Sequence, residues 1–166
     1  MGNPVKIWSR CPKLAASINN SHVNSKYMPG KILSANVSAI VELNEEEIAS
    51  CGTIILAIPT QSARSVLDII KPFVSAAHLM IFVNKGIENG SLMLPNQIAD
   101  EVLGEIIGHR AVFLSGPSFA SEVVDRQPTC VSVASKDKDR ALQTQALFHA
   151  PHFRVYDSSD TIGVEV

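Results

Sequence analysis

Three short segments of this chain carry residue types that could do chemistry, and each follows an apolar run. They are Ala57-Ile58-Pro59-Thr60-Gln61, Asn84-Lys85-Gly86-Ile87-Glu88 and Leu114-Ser115-Gly116-Pro117-Ser118-Phe119-Ala120, with Glu122 two residues further on. Lys85 is the leading candidate. A lysine placed directly after a buried strand and before a glycine can attract a phosphate or polarise a carbonyl oxygen. The same position also suits a solvated lysine in a turn. Gly116 would let backbone approach a ligand closely, and Ser118 offers a hydroxyl and a helix start for an anion. A plain Gly-Pro turn with a serine cap accounts for that pair as well. The Pro59-Thr60-Gln61 turn could pack on a cofactor or simply punctuate strand and helix.

Other chemistries find no support. The histidines at 22, 78, 109, 149 and 152 have no metal spacing, Pro151 separates the last two, and all five read as surface residues. Cys11, Cys51 and Cys130 match neither a zinc motif nor a redox pair, which fits reduced thiols in the cytoplasm. No serine nucleophile motif with its triad and no carboxylate pair is present. A net charge of -2 without a basic run argues against nucleic acid and anionic membrane surfaces. No apolar run reaches the roughly 20 residues of a bilayer span. Neither a signal peptide nor a myristoylation motif is expected, because Lys6 stands where the latter needs Ser or Thr.

The elements that must position the three segments follow from the apolar pattern. Residues 5–8, 36–41, 53–58, 79–83, 111–114, 129–134 and 153–156 read as strands. Residues 53–58 form a continuous apolar run, expected to be buried on both faces. Helices are expected from Pro12 to about 19, over 44–49 behind an Asn44 cap, from Thr60 or Ser62 to Ile70, over 91–103, from Ser118, and from Ser135 or Asp137 to Phe148. Strand-helix alternation predicts an α/β fold: a Rossmann-like, doubly wound, mostly parallel sheet with helices on both faces. Ligands of such sheets bind outside the carboxyl ends of the strands, so the three segments should open onto one crevice. Residues 157–166 read as a departure from that domain.

Taken in order, the segments resemble the NAD(P)-dependent glycerol-3-phosphate dehydrogenases. The resemblance rests on Ile7-Trp8-Ser9-Arg10, Ile18-Asn19, Asn24-Ser25-Lys26-Tyr27-Met28-Pro29-Gly30, Ala57-Ile58-Pro59-Thr60-Gln61, Lys85-Gly86-Ile87-Glu88, Leu114 through Val123, Phe153-Arg154-Val155-Tyr156 and Gly163-Val164-Glu165. The Lys-Gly-Ile-Glu and Ser-Gly-Pro-Ser-Phe-Ala pair at this spacing is the most specific part. The resemblance implies reversible reduction of dihydroxyacetone phosphate to sn-glycerol 3-phosphate with NAD or NADP, for glycerophospholipid synthesis. A cytoplasmic protein that is a homodimer in its full-length form, with no nucleic-acid partner and no membrane insertion, is expected. By carry-over Lys85, Gly116 and Ser118 meet the substrate, while Arg10, Tyr27, Lys85 and Ala120 meet the cofactor. A positive Arg10 beside the adenosine ribose would suit a 2′-phosphate.

The sequence departs from that family's pattern in two places. No Gly-x-Gly occurs, so the first strand and its phosphate turn are expected to be missing. The family's catalytic lysine is expected beyond Val166, in an all-helical domain of which residues 157–166 would be the start. Residues 1–156 would then be an incomplete NAD(P)-binding domain, and the chain alone is expected to be inactive. Two alternatives stay open: a non-catalytic remnant that binds a nucleotide or a partner weakly, and a related reductase of another small phosphorylated or carboxylated substrate.

Overall fold

A computed structural model of the chain describes residues 2–166. It comprises two compact units, the first ending at Glu47 and the second running from Ile48 to Val166. In the first unit β1 (Val5–Trp8) pairs in parallel with β2 (Val37–Ile40), joined through α1 (Pro12–Ser21). Pro12 opens α1, where a missing N–H costs nothing. His22 closes it in a left-handed conformation, donating its N–H to Ile18 O. Leu14, Ala15 and Ile18 lie on one helical face and bury against Ala39, with Leu33 and Val37 packed around them. Asn19 grips Ala39 at both ends, donating from Nδ2 to its carbonyl (2.9 Å) and accepting its N–H at Oδ1 (2.7 Å). α2 (Glu45–Ala49) starts as expected behind Asn44, whose Oδ1 accepts the Glu47 N–H.

The second unit begins with β3 (Thr53–Leu56), α3 (Thr60–Ile70) and β4 (Leu79–Phe82). It continues through α4 (Pro95–Leu103), α5 (Glu105–Gly108), β5 (Val112–Ser115) and α6 (Ala120–Val124). It ends with β6 (Thr129–Ala134), α7 (Lys138–Phe148), β7 (Phe153–Ser158) and α8 (Thr161–Glu165). The sheet order is β3-β4-β5-β6-β7, parallel throughout except where β6 runs against β5. All four residues of β4 are buried, so both faces of the sheet are covered there. One core cluster joins Leu79, Ile81, Val112, Leu114, Val131, Val133 and Val155 across the sheet. At the opposite phase of β4, Phe82 meets Phe113 with ring centroids 5.3 Å apart.

Several expectations need correction. Residues 53–58 are not buried on both faces: β3 lies at the sheet edge, and Ile55 is 46% exposed. The helix expected over 91–103 begins only at Pro95, since residues 88–93 close a turn of their own in which Glu88 N–H meets Met93 O. Ser118 does not start a helix, because α6 begins at Ala120 and has no side-chain cap. Of the two caps offered for the helix ending at Phe148, Asp137 takes the role, its Oδ1 accepting from Asp139 and Arg140. The Arg110 guanidinium on its other oxygen holds this carboxyl below the usual range.

Candidate functional site

β3, β4 and β5 are parallel neighbours, so their carboxyl ends lie along one edge of the sheet. The three segments singled out in the sequence all leave from that edge. Lys85 is exposed there, just past β4. Gly86 follows with φ +94, a backbone that only glycine adopts without strain, and a Cβ on it would meet nothing within 4 Å. Its N–H donates to the Glu165 carbonyl of α8 (3.0 Å).

The first segment grips the second. Thr60 is buried, and its hydroxyl donates to Lys85 O at 2.7 Å while accepting from Asn84 Nδ2 at 3.0 Å. Gln61 donates from Nε2 to Ile87 O (2.8 Å) and accepts the Asn89 N–H at Oε1 (2.7 Å). Neither side chain caps α3, whose preceding residue Pro59 makes no side-chain cap either. Both are therefore more than strand-to-helix punctuation.

Arg64, one turn along α3, makes a forked contact with Glu88, with Nε 3.1 Å from both carboxylate oxygens and Nη2 2.9 Å from Oε2. Its Nη1 reaches Glu101 of α4 at 3.0 Å, and the Ser91 hydroxyl also donates to Glu88. Glu88 is buried, and Arg64 with Ser91 hold its carboxyl below the usual range despite desolvation. The two carboxylates raise Arg64 further above its already high value. Sequence reading missed this pairing. Opposite charges 24 positions apart carry no local signal, and only the parallel packing of α3 beside the turn brings them together.

The third segment is built differently. A Cβ on Gly116 would lie 2.7 Å from Cys130 O and 2.8 Å from Val131 Cα, so the close approach this glycine permits is to β6. The Ser118 hydroxyl turns back to Gly116 O at 3.3 Å. Phe119 and Ala120 are exposed.

Arg10 and Tyr27 lie in the first unit, both exposed, with Lys26 Nζ 4.9 Å from the centre of the Tyr27 ring. His109 and His149 are exposed as expected, whereas His22, His78 and His152 are half-buried. Among the described residues no group of three His, Cys, Asp or Glu side chains could hold a metal. No described helix is long and apolar enough to cross a membrane.

A carboxylate absent from the sequence-based candidates also stands out. Glu165 of α8 is 1% exposed, and burial pushes its carboxyl up to about 7, against a weaker pull from the Asn96 N–H and Lys136. Its Oε2 accepts that N–H at the first turn of α4 (2.7 Å), and Oε1 has no partner.

A mostly parallel sheet with this rim of turns defines a Rossmann-type α/β protein. Residues 1–141 match the family described as NAD-dependent glycerol-3-phosphate dehydrogenase N-terminus. A glycerol-3-phosphate dehydrogenase [NAD(P)+] of Geobacter metallireducens is 39% identical over 165 residues, 99% of this chain and 49% of the relative. One from Bacillus cytotoxicus is 38% identical over the same share of the chain and 48% of its own length. The crystal structure of a glycerol-3-phosphate dehydrogenase from Coxiella burnetii superimposes with a TM-score of 0.86 at 27% identity, over 96% of this chain and 48% of that one. This chain belongs to the NAD(P)-dependent glycerol-3-phosphate dehydrogenase family. It spans about half the length of the curated relatives it matches.

Proposed function

We propose that the rim around Lys85 receives NAD(P) and a small phosphate ester, and that the protein containing it interconverts dihydroxyacetone phosphate and sn-glycerol 3-phosphate. The observation that carries this reading is the exposed Lys85 ammonium at the common edge of three parallel strand ends, in a chain of this family. The polar groups present suit such ligands. Lys85 supplies a cation for phosphate or for a polarised carbonyl oxygen. Beside it, Asn84 keeps a buried Oδ1 without a protein partner, an acceptor for a ligand hydroxyl or amide N–H rather than for the phosphate. NAD(P), when bound, supplies or accepts the hydride, and the protein supplies position and charge.

In this reading Lys85 touches both ligands, Gly116 and Ser118 line the substrate, and Ala120 touches the cofactor. Arg10 and Tyr27 of the first unit are assigned to the cofactor by the family resemblance. The same resemblance supports a cytoplasmic homodimer that supplies glycerophospholipid synthesis, with an all-helical part opening after β7. The last residues of that strand, Asp157 and Ser158, pair with β6 and so belong to the sheet rather than to that part.

Titration of the ¹⁵N-labelled chain with NADPH, and separately with glycerol 3-phosphate, tests the reading. Amides of Gly86, Gly116 and Ser118 are expected to shift together. Lys85→Ala should weaken binding by about 10- to 100-fold, the range for losing one charge-assisted hydrogen bond. If the shifts gather elsewhere, or Lys85→Ala binds as well as the parent, the site is misplaced.

A further inference from the structure

We propose that Thr60 and Gln61 are positioning residues for Lys85: the first two side chains of α3 clamp the 84–89 turn and so decide where the lysine presents its ammonium. The inference rests on the reading of Lys85 given above. Four contacts fix the turn from α3. Thr60 Oγ1 holds Lys85 O and Asn84 Nδ2, and Gln61 holds Ile87 O and Asn89 N–H. Lys85 is thus anchored at its own carbonyl, one residue before it and two residues after it. Glu165 adds a fifth contact through Gly86 N–H.

The chemistry of the two residues is unusual for their place. Side-chain oxygens at a helix start ordinarily satisfy that helix's own free N–H groups. Here the hydroxyl of Thr60 and both ends of the Gln61 amide go to another loop, and α3 begins without a side-chain cap. A buried threonine hydroxyl spent on a neighbouring carbonyl is costly to replace by an apolar group, because that carbonyl is then left unpaired. Gly86 at φ +94 gives the turn a backbone angle that other residues adopt only under strain. With that angle set by Gly86, the contacts on either side fix the direction in which Lys85 leaves the turn.

The test uses the whole chain and two paired substitutions. Thr60→Val keeps the shape and removes the hydroxyl, while Thr60→Ser keeps the hydroxyl. Gln61→Ala removes both contacts, and Gln61→Glu keeps an acceptor for Asn89 N–H but loses the donor to Ile87. Amide hydrogen exchange at Gly86 and Asn89 is measured by NMR, together with the rate at which N-acetoxysuccinimide acetylates Lys85. For Gln61→Ala, exchange at Asn89 should rise about fivefold, and for Thr60→Val exchange at Gly86, whose N–H shares a peptide unit with the Lys85 carbonyl, should rise to a similar extent; in both, acetylation of Lys85 should change about threefold, the scale set by one neutral hydrogen bond. Amides of Phe82 and Val112 in the sheet should keep their protection. Thr60→Ser should restore both parental rates, and Gln61→Glu should protect Asn89 better than Gln61→Ala does.

Unchanged acetylation in Thr60→Val and Gln61→Ala, or a Thr60→Ser chain that behaves like Thr60→Val, overturns the clamp. If Thr60→Val loses sheet protection, the exposed Gln61 pair decides alone. A chain whose Lys85 responds to these changes while NADPH shifts none of its resonances would sink the cofactor reading and leave the clamp standing.

Discussion

The turns after β4 and β5 leave the same sheet edge, yet they are held in opposite ways. The 84–93 turn is held by polar contacts: Thr60, Gln61, Arg64, Ser91 and α8 all bond to it, and Gly86 at its centre has open space beside it. The 116–120 turn is held by close packing, with Gly116 pressed against the backbone of β6 and few side-chain bonds. Glycine therefore does two different jobs: at 86 it supplies a dihedral angle, and at 116 it supplies the lack of a side chain. A turn held by hydrogen bonds and charges should respond to pH and to removal of partners. One held by packing should respond to added volume.

The largest expected effect comes through Glu165. Its folded carboxyl, pushed up to about 7, binds a proton that the unfolded chain releases near 4.5. Stability should therefore fall as pH rises from 4.5 to 7, by about 3 kcal/mol at most. Glu165→Gln should flatten that limb in urea titrations across the range. An unchanged slope would mean the carboxyl is not the desolvated group that its burial, with Oε1 unpartnered, implies.

Glu88 should act with the opposite sign. Its lowered carboxyl contributes stability above the ordinary carboxylate range, and that stability is lost as pH falls below it. Glu88→Gln should cost about 2 kcal/mol at pH 7, because Arg64 is left with a weaker partner. It should also reduce the acid-side loss. Equal stability of parent and variant at pH 7 would show that the network does not hold the turn.

The two glycines sharpen the contrast further. Gly116→Ala adds a methyl 2.7 Å from a carbonyl oxygen of β6 and should destabilise by about 1–3 kcal/mol. Gly86→Ala meets no atom and should cost only the strain of its positive φ, about 1 kcal/mol. The reverse order in denaturant midpoints would contradict the distinction. The smallest effect is expected for Ser118→Ala, within about 0.5 kcal/mol, because the hydroxyl makes one long bond to its own turn. Ligand titration rather than denaturation is where that substitution should register.

The strand ends that frame the candidate site are legible in the residue pattern alone. Lys85 stands out by following an apolar run and preceding a glycine, and it lies just past the end of β4. Gly116 also stands out, but as a place for a ligand to approach. The contact it permits is with β6, a partner that no local pattern reveals. Thr60 reads as a cap because threonine commonly caps helices. Its hydroxyl instead found a carbonyl 25 positions away, which only the parallel pairing of β3 and β4 brings within reach.

The sequence by itself determined most stretches of strand and helix, the helix starts near 91 and 118 excepted, because apolar periodicity and the proline and asparagine starts at 12 and 44 act within a few residues. It also determined the family, through ordered short motifs. Only the tertiary structure decided how those stretches share polar partners: which turn Thr60 and Gln61 hold, which carboxylate Arg64 meets, and that Glu165 is buried with a raised pKa. The physical reason is range. Backbone preferences are set by near neighbours, whereas desolvation and hydrogen-bond pairing depend on what the fold brings within about 3 Å.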